Sequence, residues 1–207
     1  MTGDASAGSA ASRSLPGPRE VLDFWFGAPG SADHGRARKL WFRKDAAFDA
    51  SLHERFGALL EAAFAGQLDD WAATPEGTLA LVIVLDQFPR NCYRGTPRAF
   101  AADPRALALA QRLVASGADR TLPTPHHRAF AYLPFEHAES MDAQRESLRL
   151  FGDLAANDAD GQDYYDYALR HARVIERFGR FPHRNAQLGR ASSEAELAFL
   201  REPGSLF

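Results

Sequence analysis

The sequence predicts an all-α fold of about eight helices. Three observations carry this. Helix-start signals recur, as Thr74-Pro75, Asp103-Pro104, Thr124-Pro125 and the capping box formed by Ser193 with Glu196. Stop signals stand at the ends of helix-like runs, at Gly27, Gly66 and Gly117. Between them, apolar residues return every three to four positions, and no segment is assigned as a strand.

The first 15 residues are rich in Ala, Gly and Ser, and residues 1–17 are expected to be a disordered tail. They lack the apolar stretch of a secretory signal. Residues 18–207 are expected to form a single helical domain. "PREVLDFWFG" (18–27) reads as a short helix, with Pro18 in its first turn and Gly27 at its stop. Residues 28–44 read mostly as loop. Trp25, Phe24, Phe26, Trp41 and Phe42 could wall a ligand groove, but ordinary core packing is the simpler expectation.

Asp45 caps the next helix, with Phe48, Leu52, Leu59, Leu60 and Ala63 at helical spacing and Gly66 at its end. "TLALVIVLDQF" (78–88) is apolar nearly all round. Val82, Ile83 and Val84 favour a strand; the Thr74-Pro75 start and the length favour a helix, and a central buried helix is the reading adopted. Leu107, Ala110, Leu113 and Val114 form the stripe of the helix opened by Asp103. The helix opened by Thr124 is expected to kink or break at Pro134, which removes a backbone donor. His126 and His127, at its start, read as surface residues. Ser140 opens another helix, with Met141, Gln144, Leu148, Phe151 and Ala155 on one side. A long helix follows over "YYDYALRHARVIERFGRF" (164–181), and the last carries Leu197 and Leu200.

Two related stretches stand out: "VLDQFPRN" (84–91) and "FGRFPHRN" (178–185). A residue before proline avoids helical backbone, so a helix is expected to stop at Phe88 and at Phe181. Asn91 and Asn185 are expected to cap a short turn that Gly95 and Gly189 close. Turn chemistry explains Pro, Asn and Gly. It does not explain Arg90 and Arg184, which either brace carbonyls at a helix end or form an anion site.

Bulk properties narrow the function. The chain has 207 residues, 45% of them apolar, and a formal charge of −3. It lacks the basic face that nucleic-acid binding needs. No run reaches the roughly 20 apolar residues of a membrane span. Only Lys39 and Lys44 are lysines, so the positive charge is almost entirely guanidinium, which suits carboxylates and phosphates. Cys92 is the single cysteine, so there is no disulfide framework. A cytoplasmic protein is expected.

The motifs "VLDFWFG", "LDQFPRN", "RGTPRAFAADPRALALA", "YLPFEHAES" and "RFGRFPHRNAQLGR" resemble a bacterial family known as domain of unknown function 924. The resemblance spans residues 19–204 and leaves the N-terminal tail outside. It implies an all-helical, tetratricopeptide-like fold, hence antiparallel helix pairs in a right-handed array. No 34-residue repeat is visible, and the tetratricopeptide consensus is missing. The family carries no settled activity.

The candidate ligand-binding residues are Asp86, Arg90, Glu136, His137, His171, Arg180, His183 and Arg184. His171 lies at the centre of an apolar stripe made by Tyr164, Tyr167, Ala168, Val174, Ile175 and Phe178, where an imidazole needs a partner. Asp86 ends the most apolar helix and could pair with Arg90. Glu136, His137 and Glu139 follow Pro134. The leading expectation is a binding module whose Arg/His/Glu-lined pocket takes a small anionic ligand or an acidic peptide terminus. The alternatives are a small-molecule hydrolase, with His171 or His183 as base and Glu136 or Glu139 as partner, and a purely structural scaffold for a protein partner. No metal-ligand spacing, phosphate loop, dinucleotide fingerprint or nucleophile elbow occurs, so no metal or cofactor is expected.

Overall fold

The computed structural model describes residues 14–205, and the expected tail falls mostly outside them. Among the described residues there are eight α-helices and no strand. They are α1 (Pro18–Phe26), α2 (Ala46–Phe64), α3 (Pro75–Cys92), α4 (Asp103–Ala115), α5 (Pro125–His137), α6 (Met141–Asn157), α7 (Gln162–Phe178) and α8 (Glu194–Phe199). Short 3-10 turns link several of them, and one of these, Lys39–Trp41, lies in the segment read as loop.

The local punctuation works as the sequence indicates. The Asp45 carboxylate accepts hydrogen bonds from the Ala47 and Phe48 amides. Thr74 and Thr124 accept from Gly77 and His127, each ahead of a proline at the first helical position. Ser193 and Glu196 close a reciprocal box.

The ambiguous segment 78–88 is helix. α3 lies at the centre and packs against α1, α2, α4 and α5, so every residue from Gly77 to Pro89 is buried. Consecutive helices from α2 to α7 pack on each other. One apolar cluster runs from Val21 to Ala168, with Trp25 in contact with Phe88 and Phe130. The aromatic residues near the N-terminus are therefore core, except Phe42, whose ring is largely exposed. A smaller cluster joins Val174, Ile175 and Phe181.

Three expectations about chain breaks and exposure are corrected. α3 does not stop at Phe88; it continues through Pro89 to Cys92. α5 likewise does not break at Pro134 but continues through it to His137. The bias of a residue before proline away from helical backbone is modest, and burial of each turn on all sides outweighs it. At α3 the Arg90 guanidinium also donates to the Asp86 carbonyl, so it braces the disturbed turn. His126 and His127 are buried, not at the surface. His127 stacks on Phe26 at 3.8 Å, and His126 Nδ1 lies 3.0 Å from the Tyr164 hydroxyl.

The two Phe-Pro copies thus differ. The first lies inside a helix. In the second, α7 has already ended at Gly179, whose φ of 69° suits a residue without a Cβ, and Pro182 begins a 3-10 turn. Asn91 sits in the last turn of α3 and donates to Asp49 at 2.7 Å instead of capping a new turn. Asn185 accepts from Arg190 and donates to Ser192. Gly95 and Gly189 do close both copies with positive φ.

Candidate functional site

The C-terminal turn of α3 supplies Asp86 and Arg90. Asp86 is fully buried. Its carboxylate accepts from Gln87 Nε2 at 2.6 Å and from His137 Nδ1 at 2.8 and 3.0 Å, and it lies 3.2 Å from Arg90 Nη1. Burial pushes the Asp86 carboxyl up, but Arg90 and His137 outweigh it and hold the group ionised, well below the usual carboxylate range. The Arg90–Asp86 pair that the spacing suggests is present.

Asp103, which the sequence marks only as a helix start, holds the first position of α4. Both of its oxygens accept from Arg90, at 2.9 Å each, in a bidentate fork. Arg184 Nη1 also approaches Asp103, at 3.4 Å. The two repeated arginines therefore meet at one carboxylate. Both guanidinium groups lie over the Phe100 ring, that of Arg90 at 5.6 Å and that of Arg184 at 4.7 Å.

The end of α5 supplies Glu136 and His137. Gln144, fully buried on α6, donates through Nε2 to the Glu136 and Ala138 carbonyls at 2.7 and 2.9 Å and so caps this helix end. Glu136 Oε1 lies 3.0 Å from His171 Nδ1, which also faces the Tyr167 carbonyl at 3.0 Å. A backbone carbonyl only accepts, so Nδ1 carries the proton. Burial and the Asp86 charge push the Glu136 carboxyl well up. Burial, then His137, pushes the His171 imidazole down to about 3. Both shifts favour the neutral forms: the His171 Nδ1–H faces the Tyr167 carbonyl and Glu136 Oε1, and the Glu136 carboxyl is held toward its protonated state. Glu136 Oε2 is buried and makes no hydrogen bond.

His137 follows the same logic. Asp86 is an acceptor only, so Nδ1 is the protonated nitrogen, and burial keeps the ring below its ordinary imidazole value. Nε2 then carries a lone pair. His137 keeps 13% of its side chain exposed, Arg90 19% and Asp103 16%, so the cluster meets solvent along this edge.

The segment after α7 covers the remaining side. Phe181 packs on His171 at 5.5 Å, and His183 lies 5.7 Å from the Phe181 ring. Burial and then the Arg184 charge bring the His183 ring down to about 4. Arg184 is buried, and burial together with Arg90 lowers its guanidinium to about 10. Its Nε is buried without a hydrogen-bond acceptor. Glu139 holds this segment in place, accepting from the Phe181 amide at 2.8 Å and from Arg190 at 2.6 and 2.9 Å.

Seven of the eight predicted residues are thus brought together: Asp86, Arg90, Glu136, His137, His171, His183 and Arg184. Arg180 turns away to pair with Glu196, at 2.6 and 2.8 Å. Sequence reasoning does not point to Asp103, Phe100, Gln144 or Arg190 as members of the cluster; none carries a local signal of this role, because their partners are remote along the chain. Two cavities lie away from the cluster. One, of about 330 Å³, is lined by Leu107, Val114, Phe135 and Glu146; the other is an open depression beside Arg177, Arg180 and Glu196. Among the described residues, no group of three or more His, Cys, Asp or Glu side chains is placed to hold a metal ion. No helix among them is long and apolar enough to cross a membrane.

The family model described as bacterial protein of unknown function (DUF924) matches residues 21–204. The chain belongs to this family. Its fold is also similar to the structure of a protein of unknown function from Agrobacterium tumefaciens. The two are 40% identical, with a TM-score of 0.77, over 89% of this chain and 96% of that one. No curated protein matches the chain. A family match across this range covers every residue of the cluster.

Proposed function

We propose that this family member is a binding module for a small anionic ligand or an acidic peptide terminus, held by Arg184 at the edge of the polar cluster. Arg184 itself carries the reading. It is a buried guanidinium whose Nε has no acceptor and whose ion-pair contact is a 3.4 Å approach to Asp103. Both Asp103 oxygens are already committed to Arg90, and Asp86 serves His137 and Gln87 as well. Formal charge balances, yet the Arg184 Nε donor is left without an acceptor. Glu136 Oε2 is a second buried polar atom without a partner. An unsatisfied buried donor costs about 1–3 kcal/mol, and more when charged, so a group rich in acceptor oxygens is what the cluster lacks. A carboxylate or phosphate fits that need. The stacking of consecutive helices from α2 to α7 supports a tetratricopeptide-like array as the frame that holds the site.

The test is ligand-dependent stability, by urea unfolding of the full chain with acetate, succinate or inorganic phosphate. A ligand at 100 times its Kd raises the unfolding free energy by about 2.7 kcal/mol. At least one of these anions is expected to stabilise the native protein, and Arg184→Gln is expected to fold but lose the increment. If no anion acts, or if Arg184→Gln responds as the native protein does, the reading is wrong.

A further inference from the structure

The binding reading leaves a second feature of the cluster without a purpose. Anion capture needs guanidinium groups. It does not need a carboxylate-oriented imidazole next to a neutral, buried carboxylic acid. His137 receives its orientation and tautomer from Asp86, through Nδ1 contacts of 2.8 and 3.0 Å, and retains solvent access. Glu136, adjacent in the chain, presents a buried Oε2 with no partner. The His137 and His171 rings lie 6.2 Å apart, which places both carboxyl–imidazole pairs in one cluster.

Conventional hydrolase pairings are disfavoured by the same geometry. Glu139 is locked by Arg190 and the Phe181 amide, so it has no freedom to move a proton. His171 is turned toward Tyr167 and Glu136. His137 is the imidazole with both an orienting carboxylate and an exposed edge.

We infer that the cluster is the acid–base centre of a hydrolase for small esters or amides that carry a free carboxylate, with His137 as base and Glu136 as acid. This rests on the anion reading in one respect: Arg184 holds the substrate's carboxylate. His137 Nε2 takes a proton from water as the water oxygen bonds to the acyl carbon. The tetrahedral adduct then collapses. The bond from the acyl carbon to the leaving oxygen or nitrogen breaks, and the leaving atom takes the proton of Glu136 Oε2. One water is consumed, and an acid and an alcohol or amine are released. A proton passed from His137 to Glu136 through solvent restores both groups. Asp86 orients His137 and stabilises its protonated form. The charged and titratable groups around His137 are Asp86, Arg90, Asp103, His171 and His183, with Glu136 adjacent in the chain; Asp86 and Asp103 favour the imidazolium, and Arg90 opposes it.

The full chain is assayed against the mono-p-nitrophenyl and monomethyl esters of succinic acid and against p-nitrophenyl phosphate, across pH. Turnover of the succinyl esters is expected, with a bell-shaped kcat/KM profile. His137→Gln is expected to lose about 100-fold or more in kcat/KM and the acidic limb of the profile. Glu136→Gln is expected to lose more on the methyl ester, whose leaving group needs a proton, than on the p-nitrophenyl ester. Arg184→Gln is expected to raise KM. Succinate-dependent stability is measured on the same samples. Ester turnover that is absent, or equal in His137→Gln, overturns the inference, and a stability increment from succinate then leaves the binding reading intact. Faster turnover of the phosphate ester overturns the acyl class. An unchanged KM in Arg184→Gln removes that arginine's part. Should Arg184→Gln or Glu136→Gln fail to fold, the native pH profile and His137→Gln still decide the matter.

Discussion

At the scale of single residues, the informative groups are those whose protonation the fold has reversed. Glu136 is a carboxylic acid that burial and Asp86 keep protonated, paired with a neutral His171. Its folded pKa lies above its unfolded value of about 4.5. Above that pH the unfolded chain releases a proton that the native state retains, so stability falls as pH rises toward the folded pKa. Glu136→Gln cannot ionise and keeps a donor. Relative to the native protein it is expected to gain stability between pH 4.5 and pH 7.5, at up to about 1.4 kcal/mol per pH unit while Glu136 stays protonated. Urea unfolding at the two values checks this, and a difference independent of pH would contradict the assignment. His171, His127 and His183 act in the opposite sense. Their folded values, about 3, about 4 and about 4, lie below 6.5, so their contribution is complete above pH 6.5 and is lost as pH falls through that window. None of this was legible in the sequence. It marks Glu136, His137 and His171 as notable but does not say which carries a proton.

At the scale of elements, the helices were legible because their signals are local. A cap is satisfied within three residues, and the Thr74 hydroxyl accepting from Gly77 at 3.1 Å is an example. Gly77 also shows what spacing cannot reveal. A Cβ there would stand 2.1 Å from the Trp71 carbonyl oxygen, which is backbone and cannot move cheaply. Gly77→Ala would ordinarily favour a helix by up to about 1 kcal/mol. Here it is expected to destabilise by roughly 2 kcal/mol or more, because the turn before α3 must shift. A lower urea midpoint for Gly77→Ala, beside a milder loss for Thr74→Ala, checks this; an Ala variant as stable as the native chain would refute the close approach. The opposite failure occurred at Pro89 and Pro134, where a local bias predicts breaks that packing overrides. His126 and His127 are buried for the same reason: α1 and α7 cover them, and local sequence does not place those helices against the start of α5.

At the scale of the whole molecule, the C-terminal segment closes the polar cluster through Glu139. That carboxylate holds the Phe181 amide and both terminal nitrogens of Arg190, 42 and 51 residues away in the chain. The apolar contribution here is small, limited to Val174, Ile175, Phe181 and their neighbours. Glu139→Ala is therefore expected to loosen residues 179–205 while α3 and α5 stay folded. Hydrogen exchange should quicken in that segment by at least tenfold, and uniform quickening throughout the chain would count against a local clasp. The sequence by itself determined the helices, their starts and most of their stops, the glycine closures and which polar residues have no reason to be buried. These rest on short-range hydrogen bonds and on periodic apolar faces. Only the tertiary structure decided that His137 meets Asp86 across 51 residues, that Arg184 meets Asp103 across 81, that Arg180 goes elsewhere, and which acids and bases are neutral. Desolvation and Coulomb energy depend on distance in space, and separation along the chain carries almost no information about it.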